Sequence, residues 1–377
     1  MKLTITTDSL KKALARLGVV PGILNTQLAT LIVVIEADDF AAKIRRTTGN
    51  ASISVDLEAM VDDPGQCGVG FNVLQDAINA MPGSDTTLES DGKILTIRSN
   101  KTKAELNECP EAELLPAPAI EMSNVSDSLD FLASDLVKWL KIAFPAAATD
   151  VKETKFAGVC MRVQQHALTL FGVDRRRVHI AFIGPKREAL NPNGTAKDHG
   201  HMLLSDGVAA LLKLLPDHEG KVELHFTTGA LLVKTNDIEA LLPMSEDQPP
   251  DLDQAFCGRV EQPTRFTCKR AELLRAARTA APLGFQEQKI ISIKLTSLGV
   301  EVVADNQVGG KLGHEIDAAV SGDDQHLRCN AQYFAEIVEA IEGDDITMNY
   351  WSDRNQLYAY MPDRLCVLML VRDAANS

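Results

Sequence analysis

The apolar positions of this chain switch from a period of two to a helical period, and the switch recurs three times. Near the start, Leu3-Thr4-Ile5-Thr6 alternates like a strand and runs into Asp8, an expected N-cap, with Leu10, Ala13, Leu14 and Leu17 on one helical face. Further on, Leu129 to Leu132 leads to Ser134 or Asp135 as cap and to Leu136, Leu140 and Phe144 as the inward face. The third instance is Arg265-Phe266-Thr267-Cys268, followed by Leu273, Leu274 and Ala277. The spacing is roughly 130 residues, far longer than a solenoid unit, so each copy is expected to be a domain.

Each predicted helix is followed by alternating strands. They fall at Thr30 to Glu36 and Ala51 to Leu57, at Gly158 to Val163 and Leu168 to Val173, and at Ile290 to Leu295 and Val300 to Ala304. A second short helix comes next, at Val73 to Met81, Gly207 to Leu215 and Gln332 to Ile341. Closing strands finish each copy; in the last they read Ile346 to Trp351, Gln356 to Tyr360 and Cys366 to Val371, separated by Ser352 to Asn355 and by Pro362-Asp363. Linkers are expected at Glu113 to Pro118, Ser123 to Ser128 and Ser245 to Asp253, which gives domains at 1–122, 128–248 and 254–377. Strand-rich copies with helices on one side of each sheet define an α+β class.

Charge complicates the picture. The chain of 377 residues carries 38 basic and 52 acidic residues, a net −14, which on average argues against wrapping a polyanion. The location of the basic residues therefore decides the reading. No apolar run approaches the ~20 residues of a membrane span, and the opening residues lack a signal-peptide core, so a cytoplasmic protein with no membrane partner is expected. Seven scattered cysteines (67, 109, 160, 257, 268, 329, 366), never spaced as CxxC, read as reduced thiols. Asp198-His199-Gly200-His201 offers a His-x-His pair in a Gly-, Asn- and Pro-rich loop without a partnering Cys or third His. Gly-rich phosphate loops, GxSxG and HExxH do not occur. Neither catalysis nor a metal or cofactor is expected.

Several short motifs, in order along the whole chain, resemble the beta sliding clamp of bacterial DNA polymerase III. Lys2 to Leu17 resembles that family's opening strand and helix. Leu168 to Val178, reading LTLFGVDRRRV, resembles its strand ending in T-D-G-H-R-L, and Val303-Ala304-Asp305-Asn306 its A-x-N turn. Cys329 to Phe334 is similar to its F-N-x-x-Y helix start, while Leu115-Pro116 and Pro249-Pro250-Asp251 sit where it has F-P between domains. There are departures. Arg175-Arg176 stands for the G-H of the motif, Thr26 to Thr30 lacks the proline of T-L-P-I-L, and Pro185 to Gly200 is a polar insertion. The chain reads as a divergent member. Two segments compete for the family's closing M-P-x-R-L: Met361 to Leu365 matches by letter, while a count of strands puts Val367 to Arg372 in the terminal position. The strand count is preferred, because without a closing strand the third sheet would keep an open edge.

The resemblance implies a DNA clamp fold of three domains, two chains closing into a ring with helices lining the hole and sheets outside. Its partners would be double-stranded DNA without sequence preference, the replicative polymerase, the clamp loader and other proteins with short clamp-binding peptides. It further implies a replisome location. The DNA-facing residues would be Lys11, Lys12 and Arg16; Lys138, Lys141 and Lys213; and Lys269, Arg270, Arg275 and Arg278, with the acidic Asp76, Glu336 and Glu339 weakening the field. The peptide groove would draw on Phe156, Val173, Arg176, Arg177, Val178, Pro250, Val367, Met369, Leu370, Val371 and Arg372. The dimer joint would use Val73, Ala77, Lys103 and Leu106 at one end and Pro282, Leu283, Phe285 and Glu315 at the other, with Lys101 and Lys103 facing Glu315 and Asp317. A clamp-fold scaffold that binds proteins without encircling DNA is the alternative.

Overall fold

The computed structural model describes residues 1–22, 31–110, 114–116, 118, 120, 122–148, 156–164, 167–183, 199–216, 219–245, 247, 264–285, 289–306 and 310–371. Its first third contains β1 (Lys2–Thr6), α1 (Thr7–Leu17), β2 (Ile32–Ala37), β3 (Ala42–Thr47), β4 (Ser52–Leu57), β5 (Ala59–Asp63), β6 (Gly65–Gly70), α2 (Phe71–Asn79), β7 (Asp85–Ser90), β8 (Ile94–Ser99) and β9 (Thr102–Asn107). The middle third contains β10 (Val125–Leu132), α3 (Ala133–Ala143), β11 (Gly158–Gln164), β12 (Ala167–Val173), β13 (Arg177–Ile183), β14 (His199–Leu204), α4 (Ser205–Leu214), β15 (Lys221–Thr227), β16 (Ala230–Lys234) and β17 (Ile238–Ser245). The last third contains β18 (Thr264–Lys269), α5 (Arg270–Ala280), β19 (Ile290–Thr296), β20 (Gly299–Asn306), β21 (Gly310–Ile316), β22 (Ala318–Ser321), β23 (Gln325–Asn330), α6 (Ala331–Ala340), β24 (Asp345–Trp351), β25 (Gln356–Met361) and β26 (Arg364–Met369).

The strand-to-helix switch recurs as expected, at β1–α1, β10–α3 and β18–α5. Its local chemistry differs from the expectation in four places. Thr6, not Asp8, caps α1 by accepting the Ser9 amide; Asp8 lies in the first turn, where a carboxylate suits the positive end of the helix dipole. The third helix begins at Ala133, so Ser134 and Asp135 fall inside its first turn. Phe144 lies beyond that helix, half-buried in the 3-10 turn Phe144–Ala146. Ser126 to Ser128, expected in a linker, belongs to β10, where Ser128 Oγ is 2.9 Å from His225 Nδ1 on the paired strand β15.

The chain packs as two compact units. The first comprises Met1–Lys138 and His201–Glu246. It holds a five-stranded antiparallel sheet in the order β5-β1-β7-β8-β9. A second sheet runs β10-β15-β16-β17-β4-β3-β2-β6, continued across the β17–β4 pairing of Ile238 with Val55. Helices α1 and α2 pack together with Leu10, Leu14, Leu17, Leu74 and Ile78 buried, because those positions share one face at helical spacing.

The second unit comprises Trp139–Gly200 and Asp247–Ser377. It holds the sheet β21-β20-β19-β23 and a second sheet β11-β12-β13-β26-β25-β24-β18-β22. Here the continuity passes through β13–β26, with Val178 opposite Val367. Helices α5 and α6 pack together over a core that includes Leu273, Ala277, Phe334 and Ile337. Met361 closes β25, Pro362-Asp363 makes the turn, and β26 is the last strand, as the strand count requires. That strand starts earlier than expected, at Arg364. This side chain is 2% exposed, donates to the Ala340 carbonyl, and meets Asp363 and Glu342.

Candidate functional site

In the second unit, the turn between β12 and β13 meets the end of β26. Strand β12 is buried at every position, and its Gly172 lies under the last turn of α3. After Val173 the chain turns on Asp174. Its Oδ1 accepts the amides of Arg176 (3.1 Å) and Arg177 (3.0 Å), an Asx turn, and its Oδ2 accepts Arg177 Nε (2.9 Å). Arg175 stands in the left-handed region, φ 66°, which a side chain adopts at a cost of about 1 kcal/mol or more. In the resembled family a glycine occupies this place.

Arg177 is buried and paired with Asp174 on one side and Glu336 of α6 on the other, and its guanidinium lies 3.9 Å from the centre of the Tyr333 ring. Glu336 is thus not an open acidic residue on the second helix. The Met369 amide donates to the Arg176 carbonyl (2.7 Å), the Leu370 amide to Asn355 (3.0 Å) and the Val371 amide to Arg328 (2.8 Å). The end of the last strand is therefore fixed between two turns. Met369 and Val371 are 40% and 36% exposed, whereas Val173, Val178, Val367 and Leu370 are each under 10% exposed. The four buried aliphatics form the floor, and the solvent-facing apolar groups are Met369, Val371 and the half-buried Phe156. Pro250 and Arg372 lie outside the described residues. Sequence reasoning missed Arg175, Tyr333, Glu336 and Asn355 as parts of this site. The positive φ at Arg175 leaves no trace in periodicity, and Glu336 comes from a distant element.

The basic residues of the first helices lie off their apolar stripes but differ in availability. Lys12, Lys138 and Lys141 are exposed, as are Lys213 of α4 and Arg275 and Arg278 of α5; Lys11 and Arg16 are half-buried. Arg16 pairs with Asp237 at 2.6 Å, Lys269 with Asp345 at 2.8 Å, and Arg278 with Glu339. Arg270 Nε donates to the Ile341 carbonyl. Lys269 closes β18 rather than standing on α5. Among the described residues, Lys12, Lys141, Lys213 and Arg275 are exposed cations without a carboxylate partner.

Of the predicted joint residues, Lys103 and Leu106 lie on β9 and Glu315 on β21, the end strands of their sheets, whereas Val73 and Ala77 stand on α2 and Pro282 and Leu283 in the 3-10 turn after α5. Val73 is 57% exposed, Ala77 and Leu106 are half-buried, and Lys103 pairs with Glu105 of its own strand. Pro282 and Glu315 are exposed. Leu283 is half-buried against its unit's core, and Phe285 is held by paired backbone bonds to Ile290.

His199 and His201 stand on strand β14, not in a loop; His201 stacks on Phe226 at 4.9 Å and sits 3.8 Å from Asp127, while Asp198 lies outside the described residues. No group of three or more His, Cys, Asp or Glu fit for a metal occurs among the described residues. Cys67, Cys160, Cys268, Cys329 and Cys366 are free and buried, and burial raises their thiols, to about 12 for all but Cys329, where the rise is larger. No described helix is long and apolar enough to cross a membrane.

Three strand–helix copies, continuous antiparallel sheets and paired helices within each unit define the DNA clamp fold. The chain is 22% identical over 298 residues to the beta sliding clamp of Streptomyces coelicolor, covering 77% of this chain and 75% of that one. The DNA polymerase III subunit beta of Pseudomonas aeruginosa superposes with a TM-score of 0.87 at 16% identity, over 99% of this chain and 100% of that one. The DNA polymerase sliding clamp of Bacillus subtilis gives 0.87 at 17% identity, over 99% of both. No family model matches the chain. The resemblance to the beta sliding clamp read from the sequence is borne out.

Proposed function

We propose that the chain is a DNA sliding clamp. Three clamp domains per chain, paired head to tail in a homodimer, would encircle duplex DNA and tether the replicative polymerase and other clamp-binding proteins. It performs no catalysis. The observation that carries this reading is the likeness to beta clamps over nearly the whole chain. Exposed cations on each of the three first helices of an acidic protein support it. Phosphate contacts carry no sequence information, so a weak basic lining favours diffusion along DNA, with retention supplied by topology. The two edge strands offer unlike patches, and a heterologous contact that closes gives a ring. Met369 and Val371, over their buried aliphatic floor, serve as the docking place for partner peptides, the clamp loader's included.

The test is topological. Loaded by a clamp loader onto a nicked circle, the protein should stay bound through gel filtration at moderate salt and leave once the circle is cut. Equal behaviour on circle and linear duplex would identify a scaffold that does not encircle DNA.

A further inference from the structure

The exposed apolar end of the last strand is bordered by arginines. Arg176 lies beside Met369, its carbonyl accepting the Met369 amide at 2.7 Å. The Arg176 side chain is exposed and has no ion-pair partner among the described residues. Arg175 projects from the same turn, its guanidinium 5.6 Å from the centre of the Phe156 ring. On the other flank, Asn355 bonds the backbone of Leu370 in both directions, and the preceding Arg354 is exposed over Trp351 at 5.4 Å. Of the nearby acids, Asp174 is held by the turn and Arg177 and Glu336 is paired with Arg177, while Asp353, beside Arg354, is exposed. A patch of concentrated positive charge thus surrounds exposed thioether and aliphatic surface on a chain whose net charge is −14.

We infer that this groove selects acidic peptides: segments that place carboxylates on both sides of an apolar anchor, the anchor lying on Met369 and Val371 and the carboxylates reaching Arg175, Arg176 and Arg354. The inference rests on the reading of this strand end as a peptide groove. A partner of that composition would be repelled by most of the protein's surface and attracted here, so the arginines would set specificity as well as affinity. Planar guanidinium groups suit carboxylates through paired hydrogen bonds, and the apolar surface beside them lowers the screening each contact suffers.

The test uses the full-length protein and two fluorescein-labelled peptides with the same two-residue apolar anchor, one flanked by Asp and Glu, the other by Asn and Gln. Fluorescence anisotropy should show the acidic peptide binding about tenfold more tightly at low salt, with the gap closing as salt rises. In Arg175→Gly with Arg176→Gln the ratio of the two affinities should fall towards one. Arg175→Gly removes backbone strain, so this variant should fold, as circular dichroism would verify. Equal affinity of both peptides for the unaltered protein overturns the acidic preference and leaves the groove standing. If neither peptide binds, the groove itself is refuted and the inference falls with it. A duplex oligonucleotide that displaces the acidic peptide only when the arginines are present would assign them to phosphate and overturn the inference as well.

Discussion

Gly172 is where the helix of the middle copy touches the strand that leads into the Asp174 turn, and Gly172→Ala should be the most damaging single methyl in this region. A Cβ there would lie 2.1 Å from the Ala143 carbonyl oxygen and 2.8 Å from the Ala147 amide nitrogen. Ordinary carbon–oxygen contacts sit near ~3.3 Å, so the backbones must part by about 1 Å. Neither side can yield by a rotamer change, because both contacts are main chain. The cross-strand partner of Gly172 is His179, whose Nδ1 donates to the Ile142 carbonyl at 3.1 Å, so the displacement would also stretch that buried bond. Overpacking costs roughly 1–3 kcal/mol, and a clash between two backbones belongs at the top of that range. Offsetting it, alanine removes unfolded-chain entropy worth about 0.4–1 kcal/mol, leaving a net loss near 2 kcal/mol. For a unit of this size that lowers the melting temperature by about 4–8 °C. Differential scanning fluorimetry would measure it, with Gly49→Ala as control, since a Cβ at Gly49 meets nothing within 4 Å. A Gly172→Ala melting curve superimposed on that of the unaltered protein would refute the packing argument.

Three further outcomes follow from the geometry. Burial, with Arg177 adding to it, depresses the His179 pKa from 6.5 to about 4, so the unfolded chain takes up a proton in that window that the folded chain refuses. Stability should be intact above about pH 6.5 and fall towards pH 4, by at most ~1.4 kcal/mol per unit, and His179→Gln should lack that slope in urea titrations; parallel pH profiles would discount the burial. Met369→Ala should weaken a clamp-binding peptide by roughly 1–2 kcal/mol by anisotropy while Met361→Ala, at the end of β25, does much less; the reverse ranking would move the groove to the Met361–Leu365 segment. Leu283→Asp with Phe285→Asp should convert the proposed dimer to monomers by light scattering, and an unchanged mass would remove those residues from the joint.

The alternation of Leu3 and Ile5, the helical spacing of Leu10, Leu14 and Leu17, and their echoes later in the chain made the repeat legible, because each element buries one face. What periodicity hid was buried charge. Strand β3, AKIRRT, reads as exposed, yet Arg45 and Arg46 are 5% and 3% exposed. The two terminal nitrogens of Arg45 donate to Glu36, Thr47 and the Leu115 carbonyl, while Arg46 lies 4.0 Å from the Phe71 ring with burial lowering its pKa to about 10. A pattern that scores every arginine as solvent-facing cannot find such a strand. The proposed groove was half legible for a related reason. Hydrophobicity flags Val178 and Met369 alike, and only the packing of β13 against β26 separates floor from surface. The link from Arg177 to Glu336 joins elements far apart in sequence, and no local rule connects them.

The pairing of the helix cations bears on how an acidic protein could serve as a clamp. Arg16, Lys269 and Arg278 already have carboxylates, and Arg270 spends its Nε on a main-chain carbonyl, so the charge they offer a phosphate is much reduced. Each phosphate contact contributes about 0.9 to the slope of log affinity against log salt, so a lining with few free cations binds weakly and reversibly. Tight phosphate binding would hold the ring at one register and oppose movement along the duplex. Weak binding by an open protein would be useless, but a closed ring does not depend on affinity to stay in place. The net charge that argued against DNA binding in the sequence is thus compatible with encirclement. On the proposed function that charge would keep duplex off the outer surface, while Lys12, Lys141, Lys213 and Arg275 would supply local attraction that centres the ring without anchoring it.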